Sequence, residues 1–230
     1  MIKKAIAITA ILIGLGFMLI PYDALLLYKN KRNFTISPEP QGSPVTNKSS
    51  LHPIFVIQKH NASHLHYDFR LEMDGVLKSW AIPKGPSTDP HDKRLALETE
   101  DHPLDYATFE GIIPEGEYGA GSVIVFDKGT FDNIKEKDGK IVPLKDCYNN
   151  GQIEVNLHGK KLQGGYALIR TNSDDMKKWL CIKMRDDYAD ARRNPISSQP
   201  ESVISGKTIE DLESKKKPYF AKASKGKRKK

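Results

Sequence analysis

Apolar and polar residues alternate with a period of two along much of this chain, most clearly between Gln58 and Leu71. On an extended strand Leu65, Tyr67, Phe69 and Leu71 fall on one side, and His64, His66, Asp68 and Arg70 fall on the other. Further strands are predicted for Ser122–Asp127, Gln152–Leu157, Gly165–Arg170 and Lys178–Lys183, the last two joined by the turn-forming run Thr171 to Lys177. Glycine and proline interrupt the pattern often enough to keep these strands short. Many short strands predict a mainly β fold, a closed or nearly closed β-barrel with short flanking helices. Glu136-Lys137-Asp138-Gly139 reads as a hairpin turn within an irregular excursion from Lys135 to Asn150, and Asp186 to Pro195 as a short helix closing the folded unit.

The chain has 230 residues, enough for one sizeable core. Residues 24–195 are expected to form the domain, 196–214 a linker with a helical turn at Thr208 to Ser214, and 215–230 a disordered basic tail. Residues 1–23 are hydrophobic, with no charge from Ala5 to Ile20. As a helix those sixteen residues would span about 24 Å, short of a hydrocarbon core of about 30 Å. A secretory signal, a short membrane anchor and a true start at Met18 are three open readings of this segment. Basic residues flank it on both sides, with a slight preference for a cytoplasmic domain.

Charge alters the picture less than its total suggests. The formal net charge is +7, but nine Lys/Arg lie between Lys215 and Lys230, leaving 27 bases against 29 acids elsewhere. A domain of this balance does not bind a polyanion through a broad basic face, so the tail is expected to tether it to DNA, with an anionic membrane as the other candidate partner. Two cysteines, Cys147 and Cys181, allow at most one disulfide, and Cys181 sits in a predicted strand as a small hydrophobe.

The polar face of the Gln58–Leu71 segment carries the chemistry. His66 and Asp68 with His60 form a mixed nitrogen and oxygen donor set suited to Mn²⁺, Zn²⁺ or Fe²⁺ rather than Ca²⁺ or Mg²⁺. A merely solvated face is the plainer reading for any single histidine, and His64 is taken as an ordinary surface residue. Lys84 and Arg94 add fixed cations, and Glu100 to Tyr106 adds His102 and a phenol. A metal, several cations and a spare histidine are what a site needs to neutralise a phosphate and protonate its leaving oxygen. Gly116-Glu117-Tyr118-Gly119-Ala120-Gly121 lacks the lysine and following helix of a phosphate loop and reads as a tight turn.

Phe55-Val56-Ile57-Gln58-Lys59-His60, Leu65-His66-Tyr67-Asp68-Phe69-Arg70-Leu71-Glu72, Gly75 to Ala81, Pro83-Lys84-Gly85-Pro86, Asp92 to Ala96, Glu100-Asp101-His102-Pro103 and Phe109 to Gly121 follow one another within about 70 residues. This ordered set resembles the 3'-phosphoesterase domain of bacterial and archaeal DNA ligase D, over roughly residues 24 to 190. Neither the polymerase nor the ligase partner of that multidomain protein fits in 230 residues, so the resemblance implies a free-standing version. It also implies a Mn²⁺-dependent enzyme on a β-barrel, acting on DNA 3' ends during end joining. Such an enzyme removes a terminal ribonucleoside and then the 3'-phosphate.

Carried over by resemblance, His60, His66 and Asp68 would hold the metal, and Arg70, Lys84, Arg94, His102 and Tyr106 would surround the phosphate, with Arg32 and Glu39 joining from an N-terminal arm. The family usually has Asp where this chain has Asn33, which removes a charge beside Arg32. Implied partners are DNA primer-template ends, a separate ligase and polymerase and Ku-type end-binding proteins, with the protein a nucleoid-associated monomer in the cytoplasm. Two rivals stay open: a facial-triad Fe(II) oxygenase using His66, Asp68 and His102, and a non-catalytic DNA-end-binding module.

Overall fold

The computed structural model describes residues 23–43, 50–171 and 175–214. The hydrophobic segment up to Ile20, the basic tail and the centre of the Thr171–Lys177 turn lie outside these residues. No helix among the described residues is long and apolar enough to cross a membrane.

Twelve strands follow in order: β1 (Ile54–Asn61), β2 (Leu65–Met73), β3 (Val76–Ile82), β4 (Lys93–Glu98), β5 (His102–Pro103), β6 (Gly111–Ile113), β7 (Gly121–Asn133), β8 (Glu136–Lys137), β9 (Lys140–Ile141), β10 (Gln152–Gly159), β11 (Gln163–Arg170) and β12 (Lys178–Lys183). Eight of them close a ring in the order β1, β2, β3, β4, β12, β11, β10, β7 and back to β1, all antiparallel. The expected barrel is therefore closed, and closure removes the open edges that an isolated sheet would expose.

Alternation explains which face is inside. Phe55, Ile57, Tyr67, Phe69, Leu71 and Trp80 belong to a buried cluster to which every barrel strand contributes, the interior of the barrel. Trp80 and Trp179 meet edge to face in it, 5.5 Å between centroids. The opposite face of β1 and β2 has its own cover. Tyr28 of α1 (Leu26–Asn30) and Tyr106 of the 3₁₀ turn Leu104–Thr108 pack with Val56, Leu77 and Val125 in a second cluster outside the barrel. Polar residues of that face are thereby enclosed between the barrel wall and these two segments. This is where the chemistry lies.

Away from the site the structure departs from the local pattern in three places. Lys135 to Asn150 is ordered as the β8–β9 hairpin, with Asp138 and Gly139 at φ of 51° and 75°, followed by α2 (Leu144–Asn149), whose Cys147 is buried. The expected helix at Asp186 to Pro195 is shifted to α3 (Pro195–Ser198), because Asp186 is drawn back 2.6 Å onto the buried Lys183 ammonium instead of starting a helix. Residues 196–214, expected as a linker, run across the barrel: Val203 N–H donates to Val125 C=O at 3.0 Å, and Lys161 Nζ reaches Gln199 C=O at 2.7 Å. These bonds join residues far apart in sequence, and no local periodicity reports them. The helical turn expected at Thr208 to Ser214 is present as α4 (Ile209–Ser214), and its Glu213 accepts a hydrogen bond of 2.9 Å from Asn61, next to His60. Both cysteines are free and buried.

Candidate active site

Strand register brings the donors together. His60 lies opposite His66 and Gln58 opposite Asp68 in the β1–β2 ladder, so three outward-facing donors from two strands share one patch. Their ligand atoms, one from each of His60, His66 and Asp68, all lie within 4.8 Å of one another. His60 Nδ1 and His66 Nε2 each stand 3.6 Å from a carboxylate oxygen of Asp68, too far for a hydrogen bond. The other ring nitrogens are engaged outward: His60 Nε2 lies 2.9 Å from Gly119 C=O, and His66 Nδ1 lies 2.9 Å from His64 C=O. A carbonyl can only accept, so those outward nitrogens carry protons, and the two facing Asp68 are the ones left to bind a metal. Outer partners of this kind orient metal-binding histidines, and the donor set fits a divalent transition metal.

Glycine is needed to bring the Gly119 carbonyl this close. Gly121 has φ of +146°, and a Cβ there would sit 2.2 Å from Asn61 C=O, so any side chain would push β7 away from the end of β1.

Arg70 spans the next layer. Its Nη2 lies 3.0 Å from Asp68, Nε 2.9 Å from Gln58 Oε1 and Nη1 2.8 Å from Ser79. Gln58 in turn donates to the carbonyls of Tyr106 and Phe109, at 3.1 and 3.0 Å, which welds the 3₁₀ turn to the barrel wall. Burial is the largest influence on Asp68 and by itself would raise its pKa, but the Arg70 charge together with the neighbouring His60 and His66 outweighs it and holds the carboxyl well below the ordinary range.

His102 reaches the same cavity from β5, which pairs with β3 at Leu77. Its Nδ1 donates to Glu100 C=O at 2.9 Å, leaving Nε2 as the acceptor that faces Arg32 Nη2 at 3.3 Å. Burial, then the charges of Arg70 and Arg32, press its pKa well below the usual value, so the resting imidazole is neutral. Arg32 comes from the arm and is almost wholly enclosed: Glu39 holds its Nε at 2.9 Å and Glu100 its Nη1 at 3.1 Å, and its guanidinium carbon stands 3.8 Å from the centroid of the Tyr28 ring. Tyr106 donates to the same Glu39 at 2.9 Å; burial, then the Glu39 charge, push its phenol well above its usual pKa.

Eight of the ten residues singled out from sequence therefore line one cavity of about 260 Å³: Arg32, Glu39, His60, His66, Asp68 and Arg70, together with His102 and Tyr106. Lys84 and Arg94 do not. They line a separate cleft of about 280 Å³ with Arg193 and Asn194, and Arg94 is paired with Asp92 at 2.6 Å. The facial triad of His66, Asp68 and His102 is not the group assembled either, since His60 takes the third place and His102 stands against Arg32. His64 is exposed and contributes its carbonyl. The Asn33 Oδ1 is engaged within its own turn, accepting from Thr35 N–H and hydroxyl at 3.1 and 2.7 Å.

Gln58, Ser79, Glu100 and Gly119 escaped the sequence reading. Gln58 shares the parity of His60 and was legible to that extent. Ser79 and Gly119 reach Arg70 and His60 only through strand pairing and turn geometry.

Residues 58–170 match the sequence model of the DNA ligase D 3'-phosphoesterase domain. The chain is 45% identical over 185 residues to the multifunctional non-homologous end joining protein LigD of Pseudomonas aeruginosa, covering 79% of this chain and 21% of that one. It is 48% identical over 166 residues to the multifunctional non-homologous end joining DNA repair protein LigD of Mycobacterium tuberculosis, covering 71% and 20%. LigD of Mycolicibacterium smegmatis is 42% identical over 178 residues, covering 74% of this chain and 23% of its own. The chain thus spans about a fifth of the length of the curated relatives it matches. With this match over residues 58–170, which run from β1 to β11 of the closed barrel, the chain belongs to the DNA ligase D 3'-phosphoesterase domain family.

Proposed function

We propose that this protein is a metal-dependent phosphoesterase that processes DNA 3' ends for end joining, removing a terminal ribonucleoside and then the 3'-phosphate to leave a hydroxyl. The observation that carries the reading is the cavity wall on which His60 Nδ1 and His66 Nε2 converge on Asp68, with Arg70 in contact and Arg32 and His102 alongside. Family membership and the role in end joining that its relatives are named for support it.

His60, His66 and Asp68 would hold the metal, with Mn²⁺ the expected ion. Bound there, it would supply Lewis-acid polarisation of a phosphate oxygen. Arg70 and Arg32 offset the phosphate charge from side chains that are themselves almost wholly buried in the cavity wall, where they act more strongly than in water. His102 is neutral at rest because burial and two guanidiniums press on it. An entering phosphate offsets those guanidiniums, so its Nε2 gains basicity as substrate binds, takes up a proton from solvent and can then hand that proton to the departing oxygen. Lys84 and Arg94, on their separate cleft, would engage the DNA backbone beyond the reacting phosphate. The basic segment from Lys215 would add a salt-sensitive tether to DNA.

The test is direct. Purified protein, Mn²⁺ and a primer-template ending in one ribonucleotide should yield first a 3'-phosphate and then a 3'-hydroxyl. His102→Ala should lose both steps, whereas Arg32→Ala should harm the diester step more than the monoester step. A folded wild-type protein that processes neither end with any divalent transition metal would reject the reading.

A further inference from the structure

Tyr118 is an exposed aromatic side chain that the fold nevertheless pins in place. It leaves 47% of its surface open. Lys31 Nζ lies 3.2 Å from its hydroxyl and 4.4 Å from its ring centroid. The adjoining Gly119 carbonyl holds His60 at 2.9 Å, which ties the backbone carrying Tyr118 to the wall of the metal-binding cavity. On the other side Glu117 accepts the Asn33 N–H at 3.3 Å, joining the same turn to the arm. Keeping a large ring exposed forgoes apolar burial, and immobilising its neighbours costs side-chain entropy, so a ring with only a surface role gains nothing from either.

Its position suggests what the ring is for. Tyr118, Thr99 and Glu100 line both the cavity that holds the three donors and an adjoining groove of about 920 Å³. A phosphodiester whose phosphate occupies the cavity must place one of its nucleosides at this junction. Two of the groove's cations, Lys31 and Lys78, are already matched by Glu100 and Asp101 at 3.0 and 2.7 Å, and Arg170 is turned onto the Asn149 and Tyr148 carbonyls at 3.1 and 2.9 Å, so the groove offers little fixed charge to a run of phosphates. Leu26, Leu27 and Met176 on its walls are 54%, 64% and 60% exposed, which gives a departing nucleoside a way out to solvent.

The geometry points to Tyr118 as the stacking platform for the base of the 3'-terminal nucleoside, a substrate-positioning residue at the mouth of the cavity. This deepens the phosphoesterase reading, on which it rests for the location of the phosphate. Stacking on an aromatic ring is tolerant of base identity, so the site would select an end that carries a base over one that carries none.

Fluorescence separates this inference from the proposed activity. A primer-template with 2-aminopurine as its terminal base, added to the full chain in the presence of chelator so that nothing turns over, should be quenched on binding. Tyr118→Ala should lose the quenching and about tenfold in affinity, while Tyr118→Phe, which keeps the ring and drops the hydroxyl that meets Lys31, should retain both. With Mn²⁺, Tyr118→Ala should raise KM for the ribonucleotide-ended substrate and leave that for a 3'-phosphate end nearly unchanged. Equal quenching in wild type and Tyr118→Ala, or equal KM increases on the two substrates, would overturn the assignment. Absence of turnover with normal quenching would instead count against the activity alone.

Discussion

His60 and His66 face each other across the β1–β2 ladder with ring centroids 4.7 Å apart and planes tilted by 52°. Neither ring hydrogen-bonds the other. Each donates outward to a main-chain carbonyl, from Gly119 and His64 respectively, and turns its other ring nitrogen toward Asp68. Two imidazole nitrogens and a carboxylate converging in this way are preorganised for a cation.

Metal binding should therefore stabilise the fold as well as activate it. Mn²⁺ at a hundredfold excess over its dissociation constant should add about 2.7 kcal/mol, visible as a rise in Tm. His66→Ala and Asp68→Ala should abolish that rise and reduce activity by orders of magnitude. A normal Mn²⁺ shift in either variant would remove that residue from the ligand set.

The neutral His102 makes a pH prediction. Burial, Arg70 and Arg32 lower its pKa, Asp68 and the Glu100 carbonyl oppose them, and the Tyr28 and Tyr106 rings pack against it. With the folded pKa below the unfolded value near 6.5, the unfolded chain binds more protons in the intervening range. Stability contributed by the neutral ring is thus fully present above pH 6.5 and is lost as pH falls toward the folded pKa, at up to about 1.4 kcal/mol per pH unit. Urea unfolding between pH 7 and 5 should show wild type losing more stability than His102→Gln. Parallel losses would mean that the ring titrates normally.

Gln58 holds three groups at once: Arg70 and the carbonyls of Tyr106 and Phe109. Gln58→Leu keeps the volume but leaves them without that partner, at about 1–3 kcal/mol for each buried group that stays unsatisfied. Chemical denaturation should show a loss of at least the lower figure, together with reduced kcat because Arg70 and the turn bearing Tyr106 are no longer aligned. Unchanged stability would show that Gln58 is replaceable by solvent.

Glu213 of α4 accepts a hydrogen bond from Asn61, the residue after the cavity-lining His60. Removing Lys215 to Lys230 takes away nine positive charges. DNA affinity should drop, and the slope of log K against log salt should become shallower by about 0.9 for each duplex phosphate that the segment no longer neutralises. Turnover at saturating substrate should hold. Unchanged affinity and salt dependence would exclude the tether, and loss of binding to anionic vesicles in its place would identify a lipid surface as the partner.

The period-two alternation around Gln58–Leu71 determined, without any structure, which residues face the barrel interior and which face the chemistry. Strand parity is a local property of the backbone, so Tyr67, Phe69 and Leu71 could be assigned to the core and His66, Asp68 and Arg70 to the site from their spacing alone. The motif order carried the family as well. What spacing could not determine was distance between segments. Arg32 and Glu39 come to His102 and Tyr106 only because the arm packs on a second apolar cluster outside the barrel. Lys84 and Arg94, nearer in sequence to Asp68 than His102 is, fall on another cleft because β3 and β4 carry them around the curve of the barrel. The histidine tautomers were equally hidden, since they depend on carbonyls that a glycine turn and a strand end bring within 3 Å. Parity along one strand follows from the chain itself, whereas proximity between strands follows from closure, and only the folded barrel supplies it.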